Sequence, residues 1–409
     1  MIKILLNAYA CEPNKGSEPG VGWHWATELA KDKNKEVHVL TRLNNQTVIE
    51  EYWQNNEKPH NLVFHYYDLP KMLIGLKHHG LPVNLYYLLW LYGAGCYAKT
   101  LNNKLHFDMA HHLTFGVFRD ACFLYKLHIP YVVGPVGGGE AAPHSLTTLF
   151  SFKENIIEIT RGLANVICFL NPFLYKNYNK ASLILSKTKD TKLVLKRWND
   201  KTIVRLEIGI NDVCHEIRER KPNTFLYVGR FTYWKGYQLA LMAFKKYHEK
   251  HSDATLKMVG RGDVDKIKVF VEKNNLQKQV EIIPWIEQSE LKMYYSTSSA
   301  MIFPSMHDSS GNVVLEALSF GLPVICLDCG GPAMILGEKL ASMIVDTKGK
   351  NIEEIVNSIV SKMELLHVNN NAVSSIRQES LARAKQMLWK DMVLKSYDEI
   401  INKIFRKES

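Results

Sequence analysis

Cysteine is sparse in this chain and follows no pattern. There are seven (Cys11, Cys96, Cys122, Cys168, Cys214, Cys326 and Cys329), an odd number, and most are widely scattered. That excludes a disulfide framework and suits a reducing compartment. Cys326-x-x-Cys329 is a lone pair in an apolar stretch. With no second ligand pair and no thioredoxin-like setting, it reads as structural rather than redox-active or zinc-binding. No short-period repeat and no low-complexity tract occurs. The opening run Met1-Ile2-Lys3-Ile4-Leu5-Leu6-Asn7-Ala8 is too short for a signal peptide, and no cleavage-like site closes it. It reads as a first buried strand, and the expectation is a cytoplasmic protein. Long charge-free runs are also scarce. One segment, Leu81 to Ala98, reaches the lower limit for a membrane span. Pro82, Asn84, Gly93, Gly95 and its many tyrosines argue against a span. A buried or membrane-facing helix is expected, flanked by Lys71, Lys77, His78, His79 and Lys99.

What is present is an ordinary globular composition. Apolar residues make up 46% and charged residues 22%, which excludes disordered and collagen-like chains. At roughly 100–200 residues per domain, the 409 residues imply two or three domains. Lys and Arg exceed Asp and Glu by ten. That excess favours an anionic partner: a nucleotide, a phosphate, an acidic membrane face or a nucleic acid.

Apolar β-branched runs alternate with amphipathic stretches along the whole chain. The expected strands are Lys3–Ala8, Glu36–Thr41, Leu62–Tyr67, Phe107–His112, Tyr131–Gly134, Ala164–Phe169 and Leu183–Ser186. A second set comprises Thr224–Val228, Thr255–Val259, Val280–Ile283, Ala300–Phe303, Pro323–Leu327 and Ser342–Val345. Expected helices include Val21–Ala30, Gln238–His248, Ser289–Ser296 and Asn312–Ser319, with a last one from about Asn371 to Arg406. Such alternation signals βαβ units and parallel sheets. The pattern resets near residue 210, and Glu219–Asn223 reads as a linker. The expected architecture is α/β, with two doubly wound Rossmann-like domains facing a cleft: residues 1–210, then 211–385, then a C-terminal helix at 386–409 packing back on the first domain. Ligands in such sheets sit beyond the carboxyl ends of the strands. Lys176 to Arg205 carries nine basic residues. It reads either as a solvated face or as an edge toward anions.

Several motifs fall at those strand ends. After the first strand comes Cys11-Glu12-Pro13-Asn14-Lys15-Gly16-Ser17-Glu18-Pro19-Gly20-Val21-Gly22-Trp23. Its spacing fails the dinucleotide fingerprint, so it is either a tight turn or a phosphate cradle. His111 and His112 end another strand, and adjacent strand residues point to opposite faces. At most one of them faces the cleft. Arg119 and Asp120 follow. Pro135-Val136-Gly137-Gly138-Gly139-Glu140 permits close ligand approach, and Glu140 could bind hydroxyls. In the second half, Arg230 and Lys235 lie in one loop and can converge on a diphosphate. Asp263-x-Asp265 has metal-pair spacing, but that spacing is common on loops. The richest stretch is Pro304-Ser305-Met306-His307-Asp308-Ser309-Ser310-Gly311-Asn312-Val313-Val314-Leu315-Glu316-Ala317. Here a helix start offers N–H groups to a phosphate, and Asp308 and Glu316 can accept hydrogen bonds from sugar hydroxyls. Ser319-Phe320-Gly321-Leu322-Pro323-Val324 leads into the next strand.

The Gly-rich loop, G-R-x-x-x-x-K-G, the acid-x7-acid spacing and G-x-P-V occur in that order. Together they resemble GT-B glycosyltransferases of family 4 over nearly the whole chain. A-C-E-P-x-x-G-S-E-P-G-x-G-W and H-H-L-T-F resemble a bacterial branch that builds surface polysaccharides. The resemblance implies a retaining hexosyltransferase that moves a sugar from a nucleoside diphosphate sugar to a glycan or lipid-linked acceptor. Its first domain would bind acceptor and its second the nucleotide sugar. Glu316 would bind the ribose, Arg230 and Lys235 the diphosphate, and Ser309, Ser310, Gly311, Asn312 and Val313 the phosphate and donor sugar. The Gly16 loop would close over the donor, and His112, or failing that His111, would contact the donor sugar. Gly138 and Glu140 are candidates for the acceptor. Asp308 stands where the family more often has Glu, which puts the donor sugar in question. Pro332-Ala333-Met334 also departs from the acidic residue often found after the Gly-Gly turn. No covalent nucleophile is evident, so a same-face route is implied, with two cations and a helix start in place of a metal. No metal and no cofactor are expected. A peripheral position at the inner face of an anionic membrane is expected, and nucleic acid is the least favoured anion because no compact basic-aromatic motif occurs. The rival readings are a sugar-nucleotide epimerase on the same fold and a non-catalytic sugar-nucleotide-binding protein.

Overall fold

The computed structural model describes residues 1–70, 72, 83–214, 220–284, 286–368 and 370–405. Leu81, Pro82, Glu219, Arg406 and the flanking Lys71, Lys77, His78 and His79 lie outside the described residues. The chain divides into two compact units. One comprises Met1–Gly139, Leu163–Ile208 and Trp389–Ser409, and the other Glu140–Gly162 and Gly209–Leu388. Glu140–Gly162, which lies inside the expected first domain, therefore groups with the second unit.

The first unit holds β1 (Ile2–Asn7), β2 (Lys35–Arg42), β3 (Leu62–Tyr67), β4 (Met109–His112), β5 (Tyr131–Val136), β6 (Leu183–Ser186) and β7 (Thr202–Val204). These form one sheet in the order β3-β2-β1-β4-β5-β6-β7. Every pairing is parallel. Parallel strands are covered on both faces and so read as unbroken apolar runs. Ile4, Leu5 and Leu6 in β1, and Val132 and Val133 in β5, are accordingly fully buried. The order reverses between β1 and β4, where Ile4–Asn7 pairs residue for residue with Met109–His112. Such a reversal opens a crevice at the carboxyl ends.

The second unit repeats the winding with β8 (Thr224–Val228), β9 (Thr255–Val259), β10 (Val280–Ile283), β11 (Ala300–Phe303), β12 (Val324–Leu327) and β13 (Ile344–Val345). The order is β10-β9-β8-β11-β12-β13, again all parallel. The reversal lies between β8 and β11.

Four expectations need correction. Ala164–Phe169 is not a strand. It falls in the Phe152–Ile167 helix and the short turn that follows, because its apolar residues continue an i, i+4, i+7 spacing begun at Phe152. β7 at Thr202–Val204 was not expected, since its three residues lie inside the basic stretch. The last helix is two, Asn370–Lys385 and Trp389–Phe405. The chain between them is drawn into a bridge, where the Ile210 N–H donates to the Met387 carbonyl at 3.0 Å and Ile210 pairs with Leu388. The Lys176–Arg205 stretch is not uniformly a solvated face, because Lys187 is buried.

The Trp389–Phe405 helix groups with the first unit. Its Tyr397 is fully buried, with its hydroxyl 2.7 Å from His111 Nδ1. Trp389 stacks on His24 at 4.7 Å between ring centroids, and Arg205 pairs with Glu399. The Val83–Leu105 helix buries Tyr86, Tyr87, Trp90, Leu91, Ala94 and Ala98 in the core of this unit.

Several imidazoles are held neutral in this fold. Burial lowers His111 to about 4, against the pull of the Gly134 carbonyl. Burial, then His111, lowers His112 to about 3. His24 and His65 are each lowered to about 4, by burial first and then by Lys31 and His38 respectively. Below their ordinary value of 6.5 the unfolded chain takes up protons that the fold refuses, so stability falls with falling pH. We expect the melting temperature to hold above neutrality and to drop progressively between pH 6.5 and 4. A midpoint that is flat or rises on going from pH 7 to 5 would contradict this assignment.

Candidate active site

The loops after β8 and β11 meet at the strand-order reversal of the second unit. Lys235 comes from the first loop and Asp308 from the second, and their side chains form an ion pair. Burial alone would push the Asp308 carboxyl up. The Lys235 ammonium and the backbone N–H groups of Ser310 and Gly311 hold it below the usual carboxylate range instead. The loops are also knitted through backbone. The Met306 N–H donates to the Trp234 carbonyl at 2.8 Å, and the Ser305 hydroxyl donates to the same oxygen at 3.2 Å. Beneath them the buried Tyr227 hydroxyl donates to the carbonyls of Arg230 and Lys235. Gly236 makes this closeness possible. Its φ is +71°, and a Cβ there would stand 1.9 Å from the Pro304 carbonyl oxygen.

Arg230 is exposed and lies 5.9 Å from the Trp234 ring centroid. Trp234 stacks in turn on His307 at 5.6 Å. The Asn312–Ser319 helix starts at Gly311, whose φ of +78° turns the chain into it. Its first N–H groups have no partner within the helix and carry partial positive charge. The Asn312 side-chain oxygen is buried there without a partner. Gly331 closes against this loop, with its N–H 2.7 Å from the Asp308 carbonyl. Glu316 sits partly exposed in the helix and accepts the Tyr295 hydroxyl at 3.0 Å. A cation pair, a helix start and two carboxylates thus share one end of one sheet. Asp263 pairs with Lys266 at 2.8 Å. Among the described residues no cluster of three or more His, Cys, Asp or Glu is placed to hold a metal.

In the first unit, both histidines of β4 are buried. His111 Nε2 faces the Gly134 carbonyl at 2.6 Å, so that nitrogen donates and Nδ1 accepts from Tyr397. His111 is thus a packing residue with both nitrogens engaged. His112 points the other way, with Nδ1 3.5 Å from the Asn7 side-chain nitrogen. Gly16 is exposed, has φ −86° and has nothing near a notional Cβ. The tight position in that loop is Gly20, where a Cβ would stand 2.1 Å from the Lys15 carbonyl oxygen. The Gly138 carbonyl accepts from the Asn165 side chain at 3.3 Å; Glu140, which groups with the second unit, is buried.

The sequence reading missed an ion triad in this unit, with Lys187 and Glu207 buried and Glu18 partly exposed. Lys187, just past β6, lies 2.7 Å from Glu207 and 3.1 Å from Glu18. Burial alone would lower its pKa, and the two carboxylates instead raise it above the ordinary lysine value. Glu18 also accepts the Phe115 N–H at 2.8 Å, fixing the loop after β4 to the Gly-rich loop. Burial raises the Asp120 carboxyl to about 6, with Arg119 pulling the other way. Glu158, which accepts the Tyr233 hydroxyl at 2.8 Å beside the Lys235 loop, was also missed. Nothing in its local sequence marks it.

Both sheets keep the doubly wound order of Rossmann-like domains, and comparison with solved structures shows the fold to be GT-B. Residues 215–374 match the family model described as glycosyl transferases group 1. That stretch contains Arg230, Lys235, Asp308 and Glu316. An uncharacterized glycosyltransferase of Methanocaldococcus jannaschii, MJ1059, is 35% identical over 207 residues, covering 46% of this chain and 50% of that protein. The amylovoran biosynthesis glycosyltransferase AmsD of Erwinia amylovora is 26% identical over 191 residues, covering 46% of this chain and 50% of that protein. The matches therefore span about half the length of these curated relatives. The crystal structure of Anabaena Alr3699/HepE in complex with UDP aligns with a TM-score of 0.60 at 14% identity, covering 98% of this chain and 100% of that one.

Two stability measurements probe these contacts. Gly236→Ala forces a side chain into left-handed backbone and against Pro304, and should cost at least ~1–3 kcal/mol in chemical denaturation. Gly16→Ala, in open backbone, should change stability much less. Lys187→Met leaves the buried Glu207 carboxylate without its cation and should cost about 3–5 kcal/mol. Wild-type stability in Lys187→Met would show that the triad is not formed.

Proposed function

We propose that this protein is a retaining glycosyltransferase of the family 4 type. It moves a hexose from a nucleoside diphosphate sugar to a glycan or lipid-linked acceptor in polysaccharide biosynthesis. The observation that carries the reading is the Lys235–Asp308 pair beside the Asn312–Ser319 helix start, at the strand-order reversal of the second unit. Support also comes from the group 1 match over that stretch, from AmsD among the relatives and from a UDP complex among the fold's neighbours.

In this reading the diphosphate lies over Arg230, Lys235 and the N–H groups of Ser309 to Val313. Arg supplies paired planar donors and Lys a point charge. Glu316, oriented by Tyr295, accepts the ribose hydroxyls. Asp308, kept ionised by Lys235, accepts hydroxyls of the donor sugar. The acceptor oxygen forms its bond to the anomeric carbon on the face from which the diphosphate leaves. The bond from that carbon to the phosphate oxygen breaks with its electron pair going to the diphosphate, which also takes the acceptor proton. Catalysis then consists of positioning and of stabilising the charge on the leaving group. Arg230, Lys235 and the helix start do that work without a metal. The roles of His112, Gly16, Gly138 and Glu140 enter as the family resemblance implies them.

A thermal-shift series with UDP-, GDP- and ADP-sugars should raise the melting temperature with one base, in proportion to affinity. Lys235→Ala and Glu316→Ala should each abolish that shift and cut transfer by at least tenfold, and EDTA should leave transfer unchanged. Unaltered transfer in both variants overturns the site assignment. Incubation with donor alone distinguishes the rivals: a new sugar nucleotide indicates an epimerase, and a shift without turnover indicates a binding protein.

A further inference from the structure

The Phe152–Ile167 helix is turned inside out. A surface helix ordinarily buries its apolar stripe, yet no residue of this one is buried. Phe152, Ile156, Ile159, Leu163, Val166 and Ile167 recur at i, i+4, i+7 and i+11 and form one stripe. All are exposed, between 45% for Ile156 and 83% for Phe152. The opposite face carries Glu154, Glu158, Arg161 and Asn165, and this polar face makes the contacts. Glu154 pairs with Lys266 at 3.1 Å. Glu158 lies 3.1 Å from His307 Nε2 and accepts the Tyr233 hydroxyl.

Leu163, Val166 and Ile167 of this stripe belong to the first unit, which exposes further apolar residues. Leu170 is 82% exposed and Phe173 53%. The Phe173 ring lies 5.8 Å from Phe123, which lies 5.3 Å from Tyr92. Tyr92 is part of a second exposed stripe, Leu85, Leu88, Leu89 and Tyr92, on the outer side of the Val83–Leu105 helix. Cations sit among these rings. The Lys126 ammonium is 3.6 Å from the Tyr92 centroid, and that of Lys176 is 4.7 Å from Tyr125. Lys99, Lys153 and Lys180 are exposed nearby in sequence. The Val83–Leu105 helix contains no acidic residue, and the two acids of Phe152–Ile167 beside the stripe are turned to Lys266, Tyr233 and His307.

We propose that this surface of the first unit, from Leu163 to Phe173 and through Phe123 to Tyr92, lies in the interface of an anionic lipid bilayer. Apolar stripes bordered by Tyr and Lys are what such an interface takes up. No single described helix is long and apolar enough to cross a membrane, and the pair Phe152–Leu170 and Pro172–Lys180, which reaches that length and apolarity only together, bends by 71° at its break. The outward charge is of one sign, which fits an anionic surface. The surface takes in part of the Leu81–Ala98 segment that the sequence pointed to, and adds to it a helix that the sequence reading took in part for a strand.

The test is co-sedimentation of the full chain with vesicles, and it reads binding rather than sugar transfer, so its failure and failure of the transferase reading are separable. Vesicles of phosphatidylcholine with about one-third phosphatidylglycerol should bind the chain, those of phosphatidylcholine alone much less, and added salt should weaken binding. The combined variant Ile159→Glu, Leu163→Glu, Val166→Glu should lose at least tenfold while keeping its circular dichroism and melting temperature. Lys126→Glu and Lys176→Glu should each weaken binding to anionic vesicles about fivefold or more. No binding to anionic vesicles, or undiminished binding by the triple variant, overturns the proposal. So does a wild-type dimer in analytical ultracentrifugation that the triple variant dissociates, because a second copy would then cover the face.

Discussion

The loops that follow β8 and β11 touch backbone to backbone at Gly236 and Pro304, and what the second unit can hold depends on that approach. Lys235 and Asp308 come from different loops, 73 residues apart in sequence. They meet because β8 and β11 are neighbours in the sheet although β9 and β10 lie between them in the chain. The strand order brings the loops together, and the missing Cβ at Gly236 lets them close. The ion pair then becomes possible. A carboxylate in that position without Lys235 would face a desolvation cost of several kcal/mol, and the usual outcome is a protonated acid. The pair therefore sets the charge state of the site before any ligand arrives.

The first unit uses the same geometry for a different purpose. Its strand ends carry Glu18, His112, Phe115 and Lys187, and there the polar groups are largely satisfied by one another. Lys187 is shared by two carboxylates, and one of those also takes the Phe115 N–H. Such a network rigidifies the loops it joins. Asp120 differs. Its carboxyl, raised by burial to about 6, lies closest among the first unit's shifted carboxyls to the range where a proton can be exchanged near neutrality. The two units thus share a winding but divide their chemistry, one presenting fixed cations and N–H groups and the other a braced set of loops.

How much of this could be read in advance follows from what each feature depends on. Strands such as Thr224–Val228 and Ala300–Phe303 were legible to the residue, because a parallel strand is buried on both faces and its apolar run has ends. The positions of Arg230, Lys235 and Asp308 in the loops after those strands, and of Glu316 in the helix that follows, were legible for the same reason, whereas their roles rest on the family resemblance. Three features were not. Lys187 looked like one more cation in a basic stretch, and only the fold shows that Glu18 and Glu207 come to it. Glu158 lies 75 residues before Tyr233 in a helix with no motif. Gly16 is the most conspicuous glycine of its loop, yet Gly20 is the one that the packing constrains, a matter of backbone path rather than composition. The Ala164–Phe169 error has a plainer cause. Six residues of mixed apolar character carry too little periodicity to separate strand from helix, and only extension back to Phe152 shows the helical spacing.

That helix also shows that amphipathicity alone does not say which face is buried. Spacing in sequence identifies two faces, and the ordinary inference buries the apolar one. Here the contacts of the polar face are directional and charged. Glu154 meets Lys266, and Glu158 meets Tyr233 and His307. Glu154, Glu158 and His307 are largely buried, so breaking their contacts costs more than the roughly 0–1 kcal/mol of an exposed pair, while burying each large aliphatic side chain would contribute about 1.5–3 kcal/mol. On those magnitudes alone, a helix free to rotate would bury Ile156, Ile159, Leu163 and Val166 instead. The polar face wins only if the apolar face loses little by pointing outward, and that holds when it is covered by something apolar other than the described residues. The physical cost of leaving the stripe in water is therefore itself the argument that water is not its working environment.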